Sequence, residues 1–240
     1  MRFYVMTCDP YIRAIRGFAR QWNKYMGEEF PVTVVGFAPP DFPLPPNFNF
    51  ISLGKQQYFP VNKWSDGLLQ LLKYHMEPGE IFGLCLEDYW LVQPVKLRAM
   101  AVLYDYMRQF RYVLKMDLCS DRQFARGATP YGEVEGIPLV KSDYGSEYHM
   151  SLMAGLWNRD LLLDLNWNGQ PFLKPGESPW DLELWGTPRL AAFEDNVLVL
   201  GTTVLPFKHA LVFRGGDSGK YLLEGLDPAD VESLKGLGYV

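Results

Sequence analysis

Ile81-Phe82-Gly83-Leu84-Cys85-Leu86, followed at once by Glu87-Asp88-Tyr89, decides the fold. Six apolar or small residues in a row leave no polar face, the pattern of a strand covered on both sides as in a parallel sheet. Toward the N-terminus, residues 64–75 carry a helical pattern that Pro78-Gly79 stops, and residues 49–53 supply a strand. Before those come a proline-rich extended connection over 39–46 and a strand at 31–37. A helix with apolar Ile12, Ile15, Phe18, Ala19 and Trp22 at a 3.6 period follows Asp9-Pro10, and a first strand occupies 2–8. Toward the C-terminus, 94–110 reads as an amphipathic helix and 111–118 as the next strand. Strands alternating with helices predict an α/β domain with a mainly parallel, twisted, mixed sheet flanked by helices on both faces.

The second half changes character. Residues 120–148 are rich in glycine, proline and polar residues with weak periodicity, and 150–157 are apolar and small. Asn158-Arg159-Asp160 opens a short helix toward Leu165, and a long loop leads to Ser178-Pro179-Trp180-Asp181-Leu182-Glu183-Leu184-Trp185. Two strands are expected at 197–200 and 210–213, then a glycine loop over 215–220 and a last helix over 228–235.

With 48% hydrophobic residues, a chain of 240 can bury one sizeable core and is short for two, so a single domain is expected. The net charge of -5 supplies no global field toward nucleic acid or an anionic membrane. No apolar run reaches the ~20 residues that span a bilayer, and residues 2–7 lack a signal-peptide pattern. A soluble, cytoplasmic protein is the expectation. Cys8, Cys85 and Cys119 are odd in number and lack zinc spacing, so they read as free thiols in or beside strands.

In open α/β sheets the ligand sits beyond the carboxyl ends of the strands. Thr7-Cys8-Asp9, Lys55-Gln56-Gln57 and Glu87-Asp88-Tyr89 all fall there. The carboxylate pair Glu87-Asp88 suits a hard divalent cation bridging a diphosphate, although acidic residues after a strand also begin turns.

Several segments in order carry a resemblance: Arg2 with Thr7-Cys8-Asp9 and Tyr11, Val61-Asn62-Lys63-Trp64 with Ser65, Leu86-Glu87-Asp88-Tyr89-Trp90, and Ser178-Pro179-Trp180-Asp181 with Glu183. Together, over roughly residues 2–225, they resemble small glycosyltransferases of the GT-A fold, a Rossmann-like architecture, including phage-encoded members. Many relatives carry Asp-x-Asp where this chain has Glu87-Asp88-Tyr89. The resemblance implies a nucleotide-sugar half over 1–118 and an acceptor half over 119–240. It implies a UDP-sugar donor by preference, a divalent metal (Mn²⁺ or Mg²⁺) held by Asp88, the donor diphosphate near Glu87, and Thr7, Asp9 and Tyr11 near the nucleotide. Phage relatives also suggest a hydroxymethylated base of duplex DNA as acceptor, with a surface glycan or lipid-linked acceptor as the alternative.

The remaining candidates rest on residue chemistry. Lys63, Trp64 and Asp66 at a helix start either hold phosphate and stack on a base, or belong to a helix whose cap is Ser65 or Asn62. In the Ser178 segment, Ser at the cap, proline next and Asp181 third match a capping box, which leaves Glu183 preferred over Asp181 as general base. The 215–220 loop is one residue short of a phosphate loop, and Tyr221 replaces its Ser or Thr, which argues against an ATPase, while Arg214 and Lys220 remain candidates for neutralising a diphosphate. His209 is a candidate metal or phosphate ligand, and His149 and Trp157 candidates for an acceptor pocket.

Arg98, Arg108, Arg111, Lys115, Arg122, Arg126 and Lys141 concentrate positive charge mid-chain, with Phe124, Tyr131 and Tyr148 among the aromatics there. Arg122 and Arg126 are the candidate acceptor contacts, either to DNA phosphates or as part of a solvated face. Two rivals stand beside the glycosyltransferase. A nucleotidyltransferase would place a glycine-rich basic loop where Asp9-Pro10-Tyr11 stands, and a non-catalytic carbohydrate-binding protein would use aromatics alone.

Overall fold

The computed structural model describes residues 1–120, 122, 127–167, 169–193, 196–212 and 221–239. In chain order the strands are β1 (Arg2–Met6), β2 (Val32–Gly36), β3 (Phe48–Ser52), β4 (Ile81–Leu86), β5 (Tyr89–Leu91), β6 (Val113–Asp117), β7 (Thr129–Val134), β8 (Ile137–Lys141), β9 (Gly155–Asn158), β10 (Asn166–Trp167), β11 (Gln170–Pro171), β12 (Leu198–Thr202) and β13 (His209–Leu211). The helices are α1 (Ala14–Tyr25), α2 (Trp64–Tyr74), α3 (Leu97–Gln109), α4 (Arg159–Asp164), α5 (Pro179–Ala191) and α6 (Pro228–Lys235).

A nine-stranded sheet in the order β3-β2-β1-β4-β9-β6-β12-β8-β7 carries the domain. The pairs β3-β2, β2-β1, β1-β4 and β6-β12 are parallel. Strand β9 runs against both β4 and β6, and β8 runs against β12 and β7, so β8 and β9 alone oppose the other seven. The expected mixed α/β domain with helices on both faces is the one observed, and strands from the second half complete the same sheet.

Alternation along β1 shows how the layers form. Phe3 and Val5 enter one core with α1, α3 and Leu234 of α6, whereas Tyr4 and Met6 enter the other with α2, Leu162 of α4, and Leu182 and Leu190 of α5. Helix α1 turns Ile15, Phe18, Ala19 and Trp22 inward, and Trp22 meets Phe3 edge-on at 4.9 Å. It ends where the Met26 amide donates to the Trp22 carbonyl at 2.7 Å and Gly27 takes a left-handed φ of 112°.

Three expectations need correction. Residues 120–148, read as irregular, contain the β7–β8 hairpin, closed by Glu135 and Gly136 at φ 47° and 79° as a two-residue turn. Its strands carry Pro130 and Pro138, and β7 is largely exposed, so neither alternation nor an apolar run marked them. Residues 155–158, noted only as part of an apolar segment, form the reversed β9 at the centre of the sheet. Neither Ser65 nor Asn62 caps α2; Lys63 occupies the cap position without a side-chain bond.

Helix α1 lies against β5 through Gly17, where an added Cβ would stand 2.1 Å from Cη2 of Trp90, a fully buried ring. Overpacking of this kind costs about 1–3 kcal/mol. Gly17→Ala is therefore expected to lower the unfolding free energy by about 1–3 kcal/mol, read as a lower urea midpoint with an unchanged slope; an unaltered midpoint would show that the indole can move aside.

Candidate active site

The carboxyl ends of β1, β2 and β3 are tied together by Asp9. Its carboxylate accepts from the Ala38 amide at 2.9 Å, and its own amide donates to Oε1 of Gln56 at 3.0 Å. Thr7 is buried and packs against Gly36, where a Cβ would come 3.0 Å from the threonine methyl. Tyr11 follows in a short 3-10 turn, partly buried against the core. Thr7, Asp9 and Tyr11 thus stand at one edge, as expected, with Gln56 as an unforeseen partner of Asp9.

Glu87 and Asp88 form the turn between β4 and β5, both half-buried. Burial, and then the neighbouring Asp88 charge, push the Glu87 carboxyl well above the usual carboxylate range, while burial pushes Asp88 up to about 6. Glu87 also faces Cys8, whose thiol is pushed up to about 12 by burial first and by that carboxylate second. Oδ1 of Asp88 is buried without a hydrogen-bond partner.

Strand β5 pairs with β13, and the Val212 amide donates to the Asp88 carbonyl at 2.8 Å. This brings His209 onto the ribbon that the acidic turn begins. Its ring meets Tyr89 edge-on at 4.7 Å, burial lowers its pKa to about 4, and its Nδ1 is buried without a partner. Among the described residues no three His, Cys, Asp or Glu side chains gather as a metal cage. A Mg²⁺-type ion is usually held by one or two carboxylates together with substrate phosphates and water, a requirement that Asp88 fits.

At the start of α2, Ser65 and Asp66 fasten another loop. The Ser65 amide donates to the Glu177 carbonyl and the Glu177 amide to the Ser65 hydroxyl, each at 2.9 Å, while Asp66 Oδ1 accepts from the Gly176 amide at 3.1 Å. Trp64 packs half-buried on the core below, and Lys63 is exposed beside it. Asp66 and Trp64 thus have structural partners where a ligand role was one alternative.

Ser178 and Asp181 close the expected capping box of α5, with the Asp181 amide donating to the Ser178 hydroxyl at 3.1 Å and the Ser178 amide donating to Asp181 Oδ2 at 3.1 Å. Two residues further along α5, Glu183 Oε1 accepts from the Leu152 amide at 2.6 Å.

Two of the mid-chain cations are withdrawn from the surface. Lys115 and Arg122 are fully buried and pair with Asp117 at 2.5 and 2.9 Å, so Arg122 is removed from any solvent-facing acceptor role. Arg122 also donates to the Ser142 hydroxyl at 2.5 Å and to the His149 carbonyl at 2.9 Å. His149 is fully buried, its pKa lowered to about 3 by burial and then by Arg122, and Trp157 lies under the Lys115 ammonium at 5.0 Å. Neither lines an open acceptor pocket. Arg111 pairs with Asp160 at 3.7 Å and Arg108 with Asp105 at 3.6 Å. Arg126, Phe124, Arg214 and Lys220 lie outside the described residues.

The Asp117 cluster was missed because a lysine inside a strand ordinarily signals a solvated face. Burial raises the Asp117 pKa, but Lys115 and then Arg122 outweigh it and hold the carboxyl below its ordinary value. Its contribution to stability is therefore present above the unfolded value of about 3.9 and lost as pH falls through the folded one. Asp117→Asn, leaving two buried cations unbalanced, is expected to cost about 3–5 kcal/mol at neutral pH. Denaturation as a function of pH should show the gap to wild type narrowing below about pH 4.

No protein-family model matches the chain, and no curated protein matches it. Among solved structures, the crystal structure of a UDP-glucose pyrophosphorylase complexed with UDP-glucose aligns over 98% of each chain at 10% identity, with a TM-score of 0.43. Values of that size leave the site to be argued from its own residues. No described helix is long and apolar enough to cross a membrane.

Proposed function

We propose that the chain is a nucleotide-sugar-dependent glycosyltransferase that binds its donor at the carboxyl edge of β1 to β4. The observation that carries the reading is the unpaired, buried Oδ1 of Asp88 in the acidic turn after β4. An ionisable oxygen held out of water without a partner costs stability, and a divalent cation bridging a diphosphate would supply the missing partner. His209, neutral at physiological pH and with Nδ1 also unpaired, stands on the same ribbon as a further ligand to that ion or to phosphate. A bound divalent ion would stabilise the departing nucleoside diphosphate as a Lewis acid.

Thr7, Asp9 and Tyr11 are assigned to the nucleotide end, with Lys63 exposed at the adjoining rim. Glu183 is assigned as general base in preference to Asp181, whose carboxylate closes the capping box. The Leu152 amide on Oε1 would fix the orientation of the Glu183 carboxylate toward an acceptor hydroxyl. The 3-10 turn at Asp9–Tyr11 stands where a nucleotidyltransferase would place a glycine-rich basic loop. A duplex-DNA acceptor draws no support from Lys115 and Arg122, which are spent inside the core.

Incubation with UDP-, GDP- and CMP-sugars and Mn²⁺ or Mg²⁺ tests the reaction class. Release of nucleoside diphosphate or monophosphate with sugar transfer is expected. Pyrophosphate-dependent formation of nucleoside triphosphate would instead make it a nucleotidyltransferase, and binding without turnover a carbohydrate-binding protein. Asp88→Asn should lower transfer by about 10²–10³-fold, the scale of losing one transition-state charge stabiliser, with the melting temperature retained.

The two roles proposed on α5 separate by measurement. Ser178→Ala removes the cap and should cost about 0.5–2 kcal/mol in thermal or urea unfolding with turnover retained. Glu183→Gln keeps an acceptor for the Leu152 amide, so its stability should stay near wild type while turnover collapses. A Glu183→Gln enzyme that melts early but turns over normally would strip Glu183 of the base role.

A further inference from the structure

Away from the acidic turn, the loop before α5 and the outer side of that helix enclose a cavity of about 330 Å³ lined by Lys174, Glu177, Trp185, Pro188 and Arg189. Arg189 is only 3% exposed. Its Nε donates to the Trp185 carbonyl at 3.0 Å, and its Nη2 donates to Oε2 of Glu177 at 3.0 Å. The guanidinium also lies 5.4 Å from the ring of Phe172 beneath it. Nη1, the remaining terminal nitrogen, is buried with no partner. A charged donor withheld from water and left unpaired is costly, and such groups in native proteins call for a partner. On the same wall Trp185 is 62% exposed.

We propose that this cavity is a binding site for an anionic sugar unit, a pyranose bearing one carboxylate or phosphate. Lys174 and Arg189 bring two cations to a wall with one carboxylate, Glu177, and the unpartnered Nη1 of Arg189 favours an anion there. Trp185 and Pro188 offer an apolar platform for the C–H face of a sugar ring, and the carboxylate of Glu177, held in place by Arg189, can accept from ring hydroxyls. The volume lies at the lower end of the roughly 300–1,000 Å³ of small-molecule sites, which suits one sugar residue better than a whole nucleotide. The mutual hydrogen bonds between Ser65 and Glu177 anchor this wall to the start of α2, beside the proposed donor edge. Its role as the acceptor subsite rests on the glycosyltransferase reading; the binding itself does not.

Calorimetric titration of the whole chain without nucleotide tests it, with methyl β-glucuronide, glucose 6-phosphate, methyl β-glucoside, UMP and inorganic phosphate as probes. At least one of the two anionic sugars should bind about tenfold or more tightly than the neutral glucoside, inorganic phosphate and UMP, the worth of one charge-assisted contact. Whichever of the pair binds better tells a uronate from a sugar phosphate. Trp185→Ala, at an exposed position that leaves the core intact, should weaken that binding about tenfold or more, and Trp185→Phe should recover part of it. Equal binding of the neutral glucoside, phosphate or UMP, no binding of either anionic sugar, or full affinity in Trp185→Ala would overturn the proposal. UDP titration of the same Trp185→Ala protein keeps the two readings apart: retained UDP affinity with lost sugar affinity concerns this cavity alone, whereas wild type that binds the sugar but no nucleotide defeats only the donor assignment.

Discussion

Trp90 is the constraint from which the acidic turn takes its shape. Its indole occupies the space that a side chain at position 17 would need, so α1 can approach β5 only because residue 17 is glycine. The ring nitrogen donates to the Glu87 carbonyl at 3.0 Å, which fixes the turn that presents Glu87 and Asp88. Tyr239 closes the other side, packing edge-on against Trp90 at 5.1 Å while its hydroxyl accepts from the Gly17 amide at 2.8 Å. Gly17, the 87–90 turn and Tyr239 are far apart in sequence and meet at one ring. The geometry of the carboxylate pair is therefore a tertiary property, set by packing density rather than by the local propensity of a four-residue turn.

The reversed strand β9 creates a second constraint of a different kind. Inserted between β4 and β6, it places Trp157 opposite Lys115, and Gly155 opposite Asp117. Gly155 leaves room for the lysine stem, since a Cβ there would come 2.8 Å from its Cε, and Gly201 of β12 does the same for Arg122, at 2.5 Å from its Cβ. Two cations and one carboxylate are thereby buried at the end of β6, an arrangement whose attraction must offset a large desolvation cost. Hydrogen bonds to the Ser151 and His149 carbonyls and to Ser142 satisfy the excess donors. Such a cluster specifies the pairing of β9 with β6, because slipping the register by one residue would turn Lys115 or Asp117 toward an unprepared environment.

The legible part of the sequence is the part where burial on both faces or a 3.6 period leaves no alternative. Strand β4 and helix α6 fall where 81–86 and 228–235 were read, and the Ser178–Asp181 capping box is stated outright by residue types at fixed offsets. What escaped reading depends on partners distant in the chain. Asp117 stands two residues from Lys115 on β6, but nothing local announces Gly155 as the vacant neighbour that lets the pair be buried, and nothing in Thr129–Val134 distinguishes an exposed edge strand from a loop until Ile137–Lys141 pairs with it. Asp66 shows the same limit: a polar residue in the first turn of a helix reads equally as ligand or as latch, and its latch partner, the amide of Gly176, lies 110 residues away.

Buried polar groups left without partners then divide by chemistry. Within the β6 cluster the orphans are Nε2 of His149 and Nε1 of Trp157, on neutral groups because burial and Arg122 keep His149 uncharged, and Oδ1 of Asp117, which has no hydrogen bond but faces the Lys115 ammonium at 2.5 Å. Each neutral orphan costs one missed hydrogen bond, a modest loss beside the ion pairs it accompanies. At the end of β4 the orphan is an oxygen of a carboxylate, with Glu87 as its neighbour and no described cation paired with it. Asp117, fully buried where Asp88 is half-buried, has two cations built around it at the cost of two glycines and a lysine in a strand. The same chain thus neutralises one acidic residue with considerable structural investment and leaves another, partly withdrawn from water, with no described cation beside it. That asymmetry is what an acid reserved for an external cation would show, and it separates Asp88 from the acids that serve the fold.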